Sequence, residues 1–166
     1  MTDLYQPTAR TTATRSRDRM FYERDRAHAI LDEAYDCAVA FVVDGEPRVL
    51  PTLHVRVGDT LYLHASSGGH LGLTARADGV PVAVSVTLLD GIVYARSQFH
   101  HSANYRSVVV HGTAQPVTDA TEKAAAMTAL VERVGAGRPE ESRPPTTREL
   151  ATTIVLALPL VEVSVR

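Results

Sequence analysis

The feature that most constrains this chain is a series of short apolar runs with alternating character, cut by glycine-containing turns. Ala38-Val39-Ala40-Phe41-Val42-Val43 is followed by Asp44-Gly45, a dipeptide that accepts the positive φ angles of a two-residue hairpin, and then by Arg48-Val49-Leu50-Pro51-Thr52-Leu53. A second turn at Gly58-Asp59 separates a strand with Leu53, Val55 and Val57 on one face from a strand with Leu61 and Leu63 on one face. His54, Tyr62 and His64 are expected to point the other way, on the non-core face. Val80, Val82, Val84, Val86 and Leu88 alternate with smaller residues, and Asp90-Gly91 reads as another turn. Residues 92–95 and 105–113 continue the sheet, and residues 154–165 form a last strand interrupted at Pro159.

Helical spacing occurs in fewer places. Ala27, Ile30, Leu31 and Ala34 mark a helix over 25–35, with Asp25 available as its N-cap. Residues 66–79 read as a glycine-rich loop running into a short helix that stops at Gly79. Asp119 caps an amphipathic helix to residue 134, whose Ala124, Met127, Leu130, Val131 and Val134 suit packing on a barrel or on a second copy. Residues 138–145 form a polar loop with prolines, and 146–152 a short helix. The class is mainly β: an antiparallel barrel of six to seven strands with flanking α-helices. No G-x-G-x-x-G follows the first strand, which disfavours a dinucleotide site of the parallel α/β kind.

With 166 residues and 45% hydrophobic content the chain can bury one full core. The reading is a single domain over 25–166 behind an arginine-rich arm, 1–24. A net charge of −2 gives no broad cationic surface for phosphates, so nucleic acid is not expected as a partner. Cys37 is the lone cysteine, and no run has the length of a membrane span or the form of a secretory signal. Cytoplasmic localisation without membrane contact is the expectation.

Residues 98–112 gather His100, His101, Asn104, Tyr105, Arg106 and Ser107 ahead of an apolar strand, as where a barrel wall meets a polar ligand. Arg106 shares parity with Val108 and Val110 and must find an anion, either a cofactor or a structural carboxylate. Neighbours on a strand face opposite ways, so His100 and His101 do not share one metal ion, although one of them alone is chemically sufficient as an axial haem ligand. Ser66 and Ser67 lack a G-x-S-x-G setting and are not read as nucleophiles.

Val-Leu-Pro-Thr-Leu at 49–53, Thr-Leu-Tyr-Leu-His at 60–64 and Asn-Tyr-Arg-Ser-Val-Val-Val-His-Gly at 104–112, in that order and spacing, resemble blocks of the FMN-binding split-barrel family. This is the family related to pyridoxamine 5'-phosphate oxidase, here in its nitroimidazole-reductase-like branch. The resemblance implies a homodimer with FMN in a groove between two copies, acting as an oxidoreductase on a small planar substrate. By it, Leu50, Pro51, Thr52 and Leu53 face the flavin ring, and the turn from His64 through Ser66, Ser67, Gly69 and His70 lies at the phosphate. Arg106 and Ser107 flank the cofactor, and His64 is the active-site proton donor. The chain departs from the family where an arginine or lysine is usual for the phosphate, having Gly69-His70-Leu71, and Ala65 stands where threonine is usual. Arg76, Arg106 or the amides of Ser66 to Gly69 are the candidate substitutes. The absence of Trp and of an extension past Arg166 sets vitamin-phosphate oxidation aside. The alternatives are a barrel that binds haem, deazaflavin or another small ligand without catalysis, and a cofactor-free enzyme of a specialised pathway.

Overall fold

The structure, a computed structural model, describes residues 3–166; residues 1 and 2 of the arm lie outside the described residues. The strands are β1 (Asp36–Val43), β2 (Glu46–Val57), β3 (Thr60–Ser66), β4 (Val80–Val93), β5 (Ser102–Pro116), β6 (Thr153–Pro159) and β7 (Glu162–Val165). The helices are α1 (Arg24–Glu33), α2 (His70–Ala75), α3 (Ala120–Val134), α4 (Arg138–Glu141) and α5 (Thr147–Thr152).

Antiparallel pairing runs β4-β1-β2-β3-β6-β5, and pairing of β5 back onto β4 closes the ring. This is the expected barrel of six strands with a seventh attached. β7 continues β6 along the same edge of β5, with Ala157 opposite Gln115 and Val163 opposite Val110. The two are one strand bent at Pro159, as a residue without an N–H donor dictates. Period-2 alternation fills the interior: Cys37, Val39 and Phe41 of β1, Leu61 and Leu63 of β3, and Val80, Val82, Val84 and Val86 of β4 are all buried. Asp44 and Gly45 both take positive φ, 52° and 81°, and turn β1 into β2 as their sequence requires.

Three local expectations are corrected. Asp90-Gly91 is not a hairpin turn but a bulge: Leu89 pairs with Tyr105 and Gly91 with Asn104, leaving Asp90 extra, and β4 continues to Val93. Ile92 and Val93 keep partners in β5, so the reversal is delayed to residues 94–101. α1 begins one residue earlier than read, with Glu23 as N-cap and Asp25 inside the first turn, where a carboxylate opposes the helix dipole's positive end. The loop over 138–145 contains the single turn of α4.

The arm folds back over its own barrel. Tyr5 N–H donates to the carbonyl of Tyr22 at 2.8 Å, the Tyr5 ring is buried, and the side chains of Thr8 and Arg10 both bond Glu162 at the start of β7. At the far end Lys123, the chain's only lysine, donates to the carbonyls of Leu150 and Thr153, each at 2.7 Å, and fastens α3 to α5. Among the described residues no helix is long and apolar enough to cross a membrane.

Leu63 is 1% exposed inside the barrel. Leu63→Ala is expected to lower unfolding free energy by about 2–5 kcal/mol in urea denaturation, the range for a leucine deleted from a core that cannot collapse around the cavity.

Candidate functional site

Two histidines expected on one face lie on opposite faces. β2 pairs with β3 so that His54 stands across from Leu63 and Val55 across from Tyr62. Cross-strand partners share a face, so His54 goes inward with Leu63, while Leu53, Tyr62 and His64 turn outward toward α3. His54 is 1% exposed, and its Nε2–H donates to the carbonyl of Leu31 at 2.9 Å. Burial holds its pKa below the ordinary histidine value. It is a core histidine that ties β2 to the end of α1.

The barrel is split beside His54. The ladder with β1 covers Glu46 to Leu53 of β2, but the ladder with β3 covers only His54 to Val57. On the β3 side, the first part of β2 therefore has an edge without a strand partner, and Thr52 Oγ1 reaches across to the carbonyl of His64 at 3.2 Å. Leu50 and Leu53 are half-buried beside this edge and Pro51 is exposed. An open backbone edge offers donors and acceptors to the polar rim of a flat ligand.

The turn after β3 lies next in the chain. Its amides do not form an anion nest: Ser67 N–H donates to Thr152, Gly69 N–H to Ser66, and Gly68 N–H to Ser66 Oγ. α2 packs hard beneath it, since a Cβ on Gly72 would fall 2.4 Å from the carbonyl oxygen of Ser66. Arg76 donates to the carbonyl of Ser67 at 2.6 Å, which brings one guanidinium to the turn where His70 stands exposed. Of the basic side chains considered for this turn, Arg76 is the one that reaches it.

Arg106 is committed elsewhere. Its guanidinium is held by Glu33, at 2.5 and 2.8 Å, and by Asp90, at 2.8 to 3.2 Å. Those carboxylates raise its pKa, and it lowers theirs. The anion that its parity demanded is a pair of structural carboxylates. Ser107 exchanges backbone hydrogen bonds with Arg166. In the ring β5 lies three strands from β2, so Arg106 and Ser107 do not meet Leu50 to Leu53 within one chain. His100 and His101 are exposed near the tip of the β4–β5 hairpin, where His101 Nδ1–H donates to Ser97. Among the described residues no group of three or more His, Cys, Asp or Glu side chains is placed to hold a metal.

The structure adds a feature that sequence reasoning missed. Leu53 and His64 form one wall of an outward groove of about 570 Å³, and Met127, Leu130, Val131 and Val134 of α3 line it, with Arg138 and Ser142 beyond. The volume is that of a cofactor-sized cleft. His64 Nδ1 is buried there without a hydrogen-bond partner. The available signal was the width of the α3 stripe: it is broader than the barrel surface it covers, and Val134 remains 56% exposed.

A closed six-stranded antiparallel barrel, split at one edge and carrying an α-helix over the split, defines the class of flavin split barrels. The sequence profile of the pyridoxamine 5'-phosphate oxidase family matches residues 23–166, and the chain belongs to that family. It is similar to an FAD and haem binding protein from Mycobacterium smegmatis, with 41% identity and a TM-score of 0.82 over 89% of this chain and 72% of that one. It is similar also to the flavocytochrome Anf3 from Azotobacter vinelandii, at 33% identity and a TM-score of 0.89 over 98% of this chain and 75% of that one. A candidate 5-nitroimidazole antibiotic resistance protein from Bacteroides thetaiotaomicron shares the fold at 19% identity, with a TM-score of 0.71 over 88% and 84% of the two chains. No curated protein matches significantly.

The depressed pKa of His54 gives the fold a pH dependence of known sign. An unfolded chain takes up a proton at this residue near pH ~6.5, while the folded chain stays neutral to lower pH. This contribution is therefore complete above that value and declines as pH falls, until folded His54 itself charges. Urea denaturation at pH 7 and pH 5 is expected to show lower stability at pH 5, and His54→Gln is expected to reduce the difference.

Proposed function

We propose that this protein is a flavin-carrying redox protein, working as a pair of identical copies, with haem held as a second redox group at His64. The groove beside β3 carries the reading: an apolar lining from two elements, one imidazole with an unpartnered buried nitrogen, and one guanidinium. A buried polar atom without a partner costs free energy that a bound group in the groove can relieve. Leu53, Leu130, Val131 and Val134 would pack against a porphyrin, His64 would bind its iron, and Arg138, which here pairs with Glu141, would turn to a propionate. A flavin fits this lining less well, because its pyrimidine rim needs several hydrogen bonds and the groove offers only Arg138 and Ser142 besides His64.

The flavin belongs instead at the open edge of β2. Leu50 to Leu53 present backbone groups there, and Arg76 stands at the turn that a phosphate would approach. The relatives described as an FAD and haem binding protein and as a flavocytochrome exceed 30% identity and support the presence of both groups. When bound, a flavin supplies hydride or electron transfer and a haem supplies single electrons. The chain's own part is to hold the two, keep water from the apolar groove, and leave room beside the flavin for a small planar substrate. His64, expected as the proton donor, is read here as a ligand, since its buried Nδ1 lacks the orienting partner that a general acid normally has.

A second copy suits the outer sheet face. Ala38 and Ala40 of β1 lie beside Ser85 and Ala83 of β4, and Val42 and Val49 are 56% and 65% exposed on the adjoining hairpin. Small side chains let two sheets approach closely, and exposed valines gain from being covered.

Purified protein is expected to show a flavin absorption band and a Soret band, or to gain both on addition of FMN or FAD and of haem, and to sediment as a dimer. His64→Ala is expected to lose the Soret band and keep the flavin. A sample that takes up neither group, or a His64→Ala variant with an unchanged Soret band, would overturn the assignment.

A further inference from the structure

Strand pairing divides the outer surface of the sheet into two unlike halves. Ala83 and Ser85 of β4 stand across from Ala40 and Ala38 of β1, which in turn stand across from Val49 and Pro51 of β2. Cross-strand partners share a face, and the alternate residues Val39, Val82, Val84 and Val86 are buried, so this face is the outer one. Where β1 meets β4 it is a floor of side chains no larger than serine.

Farther along β4 the same face changes character. Leu89 pairs with Tyr105 and Ile92 with Ala103. On a regular strand Leu89 and Ile92, three positions apart, would point opposite ways; the extra residue Asp90 brings both to the outer face, beside Tyr105 and Ala103. Leu89, Ile92 and Tyr105 are 65%, 56% and 39% exposed there. From the inner side Arg106 grips Asp90 and Glu33 and so fixes the bulge. β4 pairs with β1 only at residues 83–85, and β5 with β7 only at 108–111, with Ser107 bonded to Arg166. Beyond these points the two strands have no third neighbour among the described residues. A lone two-stranded ribbon is marginal in water, and one that turns large apolar side chains outward needs a cover.

Resting on the paired-copy reading above, we propose that the cover is the second copy, arranged so that the ribbon of each lies on the alanine floor of the other. Ribbon and floor are offset along one continuous face. A two-fold axis between them sets large residues against small in both places at once, whereas ribbon against ribbon would leave the floors as a gap between the copies. Neither half carries a charged side chain that the contact would have to desolvate. Tyr94 and Phe99, 83% and 89% exposed near the ribbon's tip, add roughly 300 Å² of ring surface per copy toward the ~800 Å² of a standard interface. The floor continues into Val49 and Pro51, so the ribbon of one copy walls the β2 edge assigned to the flavin of the other.

Sedimentation of the full chain and thiol cross-linking test this. Ala83→Arg, which fills the floor with a charge, is expected to weaken pairing at least ~10-fold, as loss of a central contact does, with far-UV circular dichroism unchanged. Copies carrying Ile92→Cys mixed with copies carrying Ala83→Cys are expected to join through a short bismaleimide, while neither joins to itself; Cys37 is buried and does not compete. Pairing untouched by Ala83→Arg, Ile92→Cys copies joining only to themselves, or a mixture that does not join would each overturn the inference while the paired reading stands. An unaltered chain that sediments as single copies at every concentration would remove both together. If Ala83→Arg fails to fold, the two cysteine variants, which alter only small or exposed side chains, decide alone.

Discussion

The pairing of β2 with β3 in one register, His54 across from Leu63, determines which chemistry faces the interior and which faces the ligand side. A slip of one residue would turn one strand over relative to the other and bring His54 and His64 onto the same face. Two structural ties hold the register. His54 Nε2–H is satisfied by the carbonyl of Leu31, a bond available only from inside, and Gly58 takes the positive φ that closes the connection to β3. The hydrogen bond of a core histidine thus positions the other histidine, ten residues later, in the groove wall.

Much of the fold was legible in the sequence because barrel strands announce themselves twice, by alternation and by their turns. Asp44-Gly45, Gly58-Asp59 and the break at Pro159 all fall where they were read. Asp90-Gly91 misled because the same dipeptide serves a turn or a bulge, and the choice depends on whether the residues beyond it find partners in the ladder. Ile92 and Val93 do. Side-chain direction was less legible: alternation fixes parity within a strand, but relative parity between strands depends on register, which no single strand encodes. That is why His54 and His64 were placed on one face.

The site was legible in segments and not in assembly. Thr52, Leu53 and His64 do converge, and Ser66 to His70 follow directly. Arg106 was correctly seen to require an anion, yet Glu33 is 73 residues away in sequence and its approach is a tertiary fact. The contribution of α3 was hidden differently, because an apolar helix face reads the same whether it covers a barrel completely or overhangs it. The overhang, with Val134 largely exposed, is what makes a groove of an otherwise ordinary packing surface.

The helix that lines that groove is fastened to α5 by Lys123. Every other basic side chain apart from the histidines is a guanidinium, so the folded surface presents almost no primary amine. Reactive aldehydes, acylating metabolites and amine-directed enzymes accordingly find one internal target, and its ammonium is already committed to two carbonyls. Capturing it would neutralise the charge and remove the tie between α3 and α5, coupling covalent damage at a single atom to the anchoring of the helix.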